Sequence, residues 1–311
     1  MPEVITLNKP WLVAVWPGLG QVALSAGYYL LAKLGMHYIA EFSPLELFEM
    51  EYVEVKGGLV QLGRLPRSRF FVWKGPPDAH DIVVFLGEAQ PPLGRLAFCQ
   101  KLVEFAKKLD VRRVFTFAAM ATSMNLDDPS RVFGAATDDE GLKELKRFDL
   151  EILTDGQIGG LNGVLLGVAA NNGLRGTCLL GEIPRVVANL PFPQASHAVL
   201  STFTKMAGIK IDLAELSEQA VSVNGQLREL FARLQAEMQQ QAEAAEESDG
   251  PVIPPPEEKL APEDHKRIET LFEQARNDRS KAYELKRELD RLDVFKDYED
   301  RFLDLFRPNN K

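Results

Sequence analysis

Along the first 210 residues, short runs of consecutive apolar positions alternate with longer stretches whose apolar positions return every three or four residues. The short runs are WLVAVW from Trp11, HYIAEF from His37, FFVWK from Phe70, DIVVFLG from Asp81, RVFTFAA from Arg113, LEILT from Leu150 and GTCLLGE from Gly176. Rich in Val, Ile and Phe, they predict strands. The longer stretches predict helices over Val22–Leu34, Leu93–Leu109, Asp138–Arg147, Leu161–Asn171 and Gln194–Ala207. Strand, helix, strand in repetition requires crossover connections. The fold class is therefore α/β: a three-layer α/β/α sandwich around a mostly parallel sheet.

Two regions depart from this rhythm. Between Ser43 and Ser68 the residues alternate, and Gly57-Gly58 separates two strand-like runs; this predicts a hairpin at a sheet edge or an oligomer contact. After Ile211, Asp212 is placed to cap a helix, and Leu213, Leu216, Ala220, Val223, Leu227, Leu230, Leu234 and Met238 form an apolar seam at helical spacing. Such a seam meets either this domain or a partner helix.

Residues 242–262 are acidic and proline-rich, a composition that builds no core and predicts a linker. Helix returns at Pro262, and Leu285, Leu289 and Leu292 belong to a second apolar stripe, with Glu263–Arg267 and Asp297–Arg301 spaced for pairing along the helix. The expected domains are 1–241, an α/β/α body ending in a long helix; 242–262, the linker; and 263–311, a C-terminal helical extension.

The chain of 311 residues carries a formal charge of −9, of which the segment from Ala242 onward supplies −6. A body so close to neutral lacks the clustered cations that nucleic acid or an acidic membrane requires, so neither is an expected partner. Trp11 to Ala32 is uncharged and long enough to span a bilayer, but Pro17, Gly18, Gly20 and Gln21 interrupt it. A strand, a tight turn and a buried helix are expected there instead. The two cysteines, Cys99 and Cys178, stand far apart without a C-x-x-C motif; a reducing, cytoplasmic setting follows, with no disulfide and no metal site.

Three loops are candidates for chemistry. Gly18 and Gly20 after the first strand, with Glu41 about 20 positions on, carry the spacing of a dinucleotide-binding turn, although Pro17 removes a backbone donor. Gly159, Gly160, Asn162 and Gly163, between a strand and a helix, either face an anion with backbone N–H groups or let the helix lie close on the sheet. The polar connection from Met120 to Gly141 offers Asp127, Asp128, Arg131 and Asp138 for an ion or a partner's charge. No nucleophile elbow occurs, and none of His37, His80, His197 and His265 pairs at metal-ligand spacing. No catalytic residue, cofactor or metal is assigned.

Five motifs, in order and spacing, carry a resemblance: VWPGLGQVA, VVFLGEAQPP, RVFGAATD, DGQIGGLNGVLLGVAANNG and CLLGEIPRVVANLPFPQASHAVLSTFTKMAGIKIDL. Over Trp11 to Leu216 the chain resembles the proteasome-assembly-chaperone family named for the second such chaperone of eukaryotes, which also has bacterial and archaeal members. The resemblance implies an α/β/α fold like that of nucleoside phosphorylases and assembly into dimers or homo-oligomeric rings, a trimer being one such ring. It also implies action by protein contact on a protein client, without catalysis. Some chaperones and activators dock on the proteasome through a terminal hydrophobic, tyrosine, any-residue tail; this sequence ends RPNNK, so docking by that route is not expected. The expected function is a non-catalytic homo-oligomeric assembly chaperone or scaffold. Leu216, Val223, Leu227, Leu230, Leu234, Leu285, Leu289 and Leu292 are the expected partner seam. The alternative is a small-molecule or nucleotide-binding protein or enzyme that uses the glycine loops.

Overall fold

A computed structural model describes residues 6–46, 48–50, 53–246, 262–278, 281–292 and 294–305. They fall into two compact units, Met1–Glu237 and Met238–Lys311. The strands of the first unit are β1 (Trp11–Val15), β2 (His37–Phe42), β3 (Val53–Lys56), β4 (Leu59–Leu62), β5 (Ser68–Trp73), β6 (Ile82–Gly87), β7 (Arg113–Thr122), β8 (Val132–Ala136), β9 (Glu151–Ile152) and β10 (Arg175–Pro184). Its helices are α1 (Val22–Lys33), α2 (Arg95–Lys108), α3 (Asp139–Arg147), α4 (Gly160–Asn171) and α5 (Pro193–Ala207); α6 (Ala214–Glu246) begins in this unit.

Eight strands form one sheet in the order β2-β5-β6-β1-β7-β10-β8-β9. The four central strands, β6, β1, β7 and β10, run parallel, while β5 pairs antiparallel with β6, and β8 antiparallel with β10. Side-chain alternation along β1 builds both cores. Val13 and Val15 face α1 and α5, where they meet Ala26, Leu30, Val199 and Phe203. Leu12, Ala14 and Trp16 face α2 and α4, where they meet Phe98, Leu102, Leu161 and Leu165. With both faces covered, the central strands read as continuous apolar runs. On the α2 side, edge-on ring pairs such as Phe70–Phe85, with centroids 4.9 Å apart, add about 0.5–1.5 kcal/mol each beyond burial.

Local chemistry sets the helix ends. The Asp138 side chain accepts the N–H of Gly141 at 2.6 Å at the start of α3. Pro193 opens α5, and Gly208 at φ +66° closes it. Asp212 accepts the N–H of Ala214 at 2.9 Å, as its position before α6 predicts, while Glu215 pairs with Lys33 at 2.9 Å. The uncharged stretch from Trp11 forms β1, a tight turn and α1, and no helix among the described residues is long and apolar enough to cross a membrane.

Four expectations change. The polar connection after β7 contains a strand, β8, paired antiparallel with β10, and LEILT contributes only the two residues of β9. The seam expected to meet other copies is largely used within the chain. Leu216 and Leu227 lie in the α1/α5 core and Val223 packs against it, whereas Leu230 is exposed. The side chain of Leu234 and the proline-rich stretch 247–261 lie outside the described residues.

In the second unit, α7 (Pro262–Asn277), α8 (Ala282–Arg291) and α9 (Phe295–Asp304) enclose their own core, which buries Leu285 and Leu289 with Leu292 packed alongside. There Arg267 pairs with Glu288 at 3.0 Å and Arg301 with Glu269, so these arginines join different helices instead of pairing along their own.

Candidate functional site

Open α/β sheets bind ligands beyond the carboxyl ends of their parallel strands. Here that end holds a cavity of about 410 Å³, lined by Trp16, Gly18, Gln90, Gly159, Gly160 and Asn162 together with residues of β7. Two glycine loops, more than 130 residues apart in sequence, thus meet at one place.

The cavity is not built for an anion. Its lining contains no Lys, Arg, His, Asp or Glu. Two of the backbone N–H groups in the glycine loops are already paired. Gly20 donates its N–H to the Ala188 carbonyl and accepts from the Phe192 N–H, both at 2.8 Å. Leu161, in the first turn of α4, donates to Gln90 Oε1 at 3.1 Å, and Gln90 Nε2 donates to the Pro17 carbonyl at 3.1 Å. Gln90 therefore ties one glycine loop to the other.

Glu41, placed by spacing for a ribose, sits on β2, three strands from β1 in the sheet order. At about 4.8 Å per strand this puts it roughly 14 Å away, and its carboxylate accepts from Arg67 Nε at 2.8 Å. That partner holds the Glu41 carboxyl below the ordinary carboxylate range, against the opposing effect of desolvation.

The polar connection is likewise internally bound. Arg131 lies against Glu182, with Nε and Nη2 each 2.8 Å from a carboxylate oxygen, and Thr122 donates to the same carboxylate at 2.7 Å. Asp128 accepts the Asn125 N–H at 2.8 Å and closes its own turn, while Asp127 pairs with Arg228 at 3.0 Å. Asp138 is the α3 cap and also meets Arg175. Asp127, Asp128 and Arg131 do not line the glycine cavity. Among the described residues no group of three His, Cys, Asp or Glu side chains is placed to hold a metal. Burial pushes the Cys99 and Cys178 thiols up to about 12, far from nucleophilic.

Exposed apolar side chains occur at this end of the sheet, with the exposed Arg95 and Arg185 among them. Leu19 follows β1, Leu93 and Leu96 follow β6, and Val186 and Leu190 follow β10; all five are exposed. Residue pairing sets Phe42 opposite Ser68, and Ser68 opposite Gly87, so β2 ends and β5 begins at this same end. The insertion 43–67, with exposed Leu45, Val55, Val60 and Leu62, therefore emerges there too. Sequence reading missed Gln90 and these exposed apolar side chains, which are single residues in unrelated segments.

A family model described as the PAC2 family matches residues 12–231. The chain belongs to the PAC2 family. This PAC2 chain is 27% identical over 261 residues to an uncharacterised protein of Methanocaldococcus jannaschii, covering 83% of this chain and 93% of that protein. Among solved structures it is similar to Pyrococcus furiosus PbaB, an archaeal proteasome activator, with a TM-score of 0.63 and 27% identity over 74% of this chain and 96% of PbaB. It is also similar to PbaA of the same organism, an archaeal homolog of proteasome-assembly chaperone, with a TM-score of 0.58 and 24% identity over 78% of this chain and 95% of PbaA. The second likeness shows the fold: a mostly parallel sheet with helices on both faces. The expected family and fold class are both found.

Proposed function

We propose that this PAC2 protein is a non-catalytic, homo-oligomeric assembly chaperone or scaffold that acts by protein contact through the carboxyl end of its sheet. One observation carries the reading: where an enzyme of this architecture gathers charged groups, this chain has a cavity lined by no charged side chain, and exposed aliphatic side chains lie at the same end of the sheet. Exposed aliphatic side chains with charged neighbours suit a protein surface. PbaB is a proteasome activator, so proteasome subunits are the first client class to try.

The test pairs two titrations of the full chain. Proteasome α and β subunits are titrated by calorimetry, and a panel of nucleotides and phosphorylated metabolites is followed by thermal shift. The expected result is saturable binding to a protein subunit, lost in Leu93→Lys/Val186→Lys, with no metabolite shift. One observation favours a second reading: Trp16 Nε1 and Asn162 Oδ1, both in residues lining the cavity, have no hydrogen-bond partner in the protein. A saturable rise with a neutral small molecule, lost in Asn162→Ala, would replace the contact reading with a small-molecule site.

A further inference from the structure

Charge absent from the lining of the glycine cavity is gathered at the other end of the sheet. Strand register sets Trp11 of β1 beside Arg113 of β7, and Arg113 beside Arg175 of β10. The first residues of three adjacent strands thus form one row, pointing to one face. This row, with Glu140, Lys143, Glu144 and Arg147 of α3 and Phe148 after it, lines a pocket of about 680 Å³. That size is within the range of small-molecule sites.

The cations of this pocket are not all matched. The Arg113 side chain is only 5% exposed; it pairs with Glu144 and donates from Nη2 to Thr177 Oγ1 at 2.7 Å, while its Nε has no partner in the protein. A buried charge is tolerated where its N–H groups are compensated, and here one is left over. Arg175 is matched by Asp138 and Glu140, each at 3.2 Å. Lys143 and Arg147 are both exposed, one turn apart on α3, and neither pairs with a carboxylate among the described residues. Beside them Trp11 and Phe148 supply aromatic surface.

We infer that this pocket at the amino end of the sheet binds a small dicarboxylate, with Lys143 and Arg147 each taking one carboxylate. Two arguments select that chemistry. Residues four apart on a helix have Cβ atoms about 6 Å apart, and two like charges keep their head groups separated. The ligand that matches them carries its two negative charges on separate groups, whereas a phosphate holds both on one centre. The aromatic surface of Trp11 and Phe148 then suits a short hydrocarbon spacer. Behind them Arg113, with one N–H unpaired, leaves the inner wall short of acceptors. The site is independent of the contact surface at the carboxyl end.

Calorimetry and thermal shift of the full chain with succinate and glutarate, at matched ionic strength, test this. Acetate, with one carboxylate, and inorganic phosphate are the comparison ligands. The expected result is saturable binding of a dicarboxylate and none of acetate or phosphate. Binding should be about tenfold weaker or worse in Lys143→Ala/Arg147→Ala, the change for one lost hydrogen bond between charged groups. Lys143→Arg/Arg147→Lys, which keeps both charges, should retain binding, and Leu93→Lys/Val186→Lys at the other end should bind as the wild type does. If the double alanine variant fails to fold, Lys143→Gln decides. No saturable binding of either dicarboxylate, an equal response to phosphate, or binding unchanged in the folded alanine or glutamine variant would overturn the assignment. Titration with protein subunits tests the contact reading separately.

Discussion

Gln90 Oε1 accepts the backbone N–H of Leu161 at 3.1 Å, on the first turn of α4, where a phosphate would bind in a nucleotide protein. Because the same side chain also donates to Pro17, the two glycine loops are joined by one residue. Gln90→Ala should cost about 1–2 kcal/mol, the range for a lost helix cap or a buried group left unpaired. Urea unfolding would show a lower midpoint at unchanged slope. The variant should gain no affinity for nucleotides.

The glycines divide by what a methyl group would meet. At Gly163 it would lie 1.9 Å from the Ile158 carbonyl oxygen, and at Gly181 2.8 Å from the Ala195 carbonyl oxygen. At Gly18 and Gly159 it would meet nothing within 4 Å, and neither residue has positive φ. Alanine at 163 or 181 should destabilise by about 2–3 kcal/mol, through overpacking against backbone, whereas alanine at 18 or 159 should stay within about 0.5 kcal/mol. Chemical denaturation of the four variants would check this. It also separates packing from phosphate binding, which would make Gly18 and Gly159 the sensitive pair.

Glu182 is buried, and its carboxyl is held below the ordinary range first by Arg131, then by Thr122, against desolvation. Its lowered folded value contributes stability above the unfolded Glu pKa of about 4.3, which is lost as pH falls through the folded value. Arg131→Ala reverses the sign: an unpaired buried carboxylate binds its proton more tightly in the fold. That variant should therefore gain stability as pH drops from 7 to 5, and Arg131→Ala/Glu182→Gln should be flat there. Thermal melts across this range would show the rise in Arg131→Ala and its absence in the double variant.

Cys99 and Cys178 are buried, with both thiols raised to about 12. Alkylation with iodoacetamide should modify neither in the folded chain and both in denaturant. Rapid native labelling at Cys178 would show that β10 opens.

The central strands were legible because burial on both faces leaves continuous apolar runs such as WLVAVW and DIVVFLG. β8 was not, since Arg131, the Asp128-Pro129 pair and Gly134 give its surroundings the composition of a loop. At Gly134 an added methyl group would meet the Leu145 side chain at 3.0 Å, so glycine there lets α3 lie close on β8. The α6 seam was legible as a stripe, but helical spacing does not say whose surface it covers, and the fold puts Leu216 and Leu227 against its own core. The exposed apolar side chains at the carboxyl end were illegible as a group because only the strand order brings Leu19, Leu45, Leu93 and Val186 to one end.

Photo-cross-linking tests the contact surface most directly. A photoreactive phenylalanine analogue is incorporated in place of Leu93, 77% exposed at the carboxyl end, or in place of Phe148, 37% exposed beyond α3. Irradiation of the chain mixed with proteasome α and β subunits should give a covalent chain-to-subunit product from position 93 and none from position 148. A product from position 148 alone, or from neither, would contradict the account.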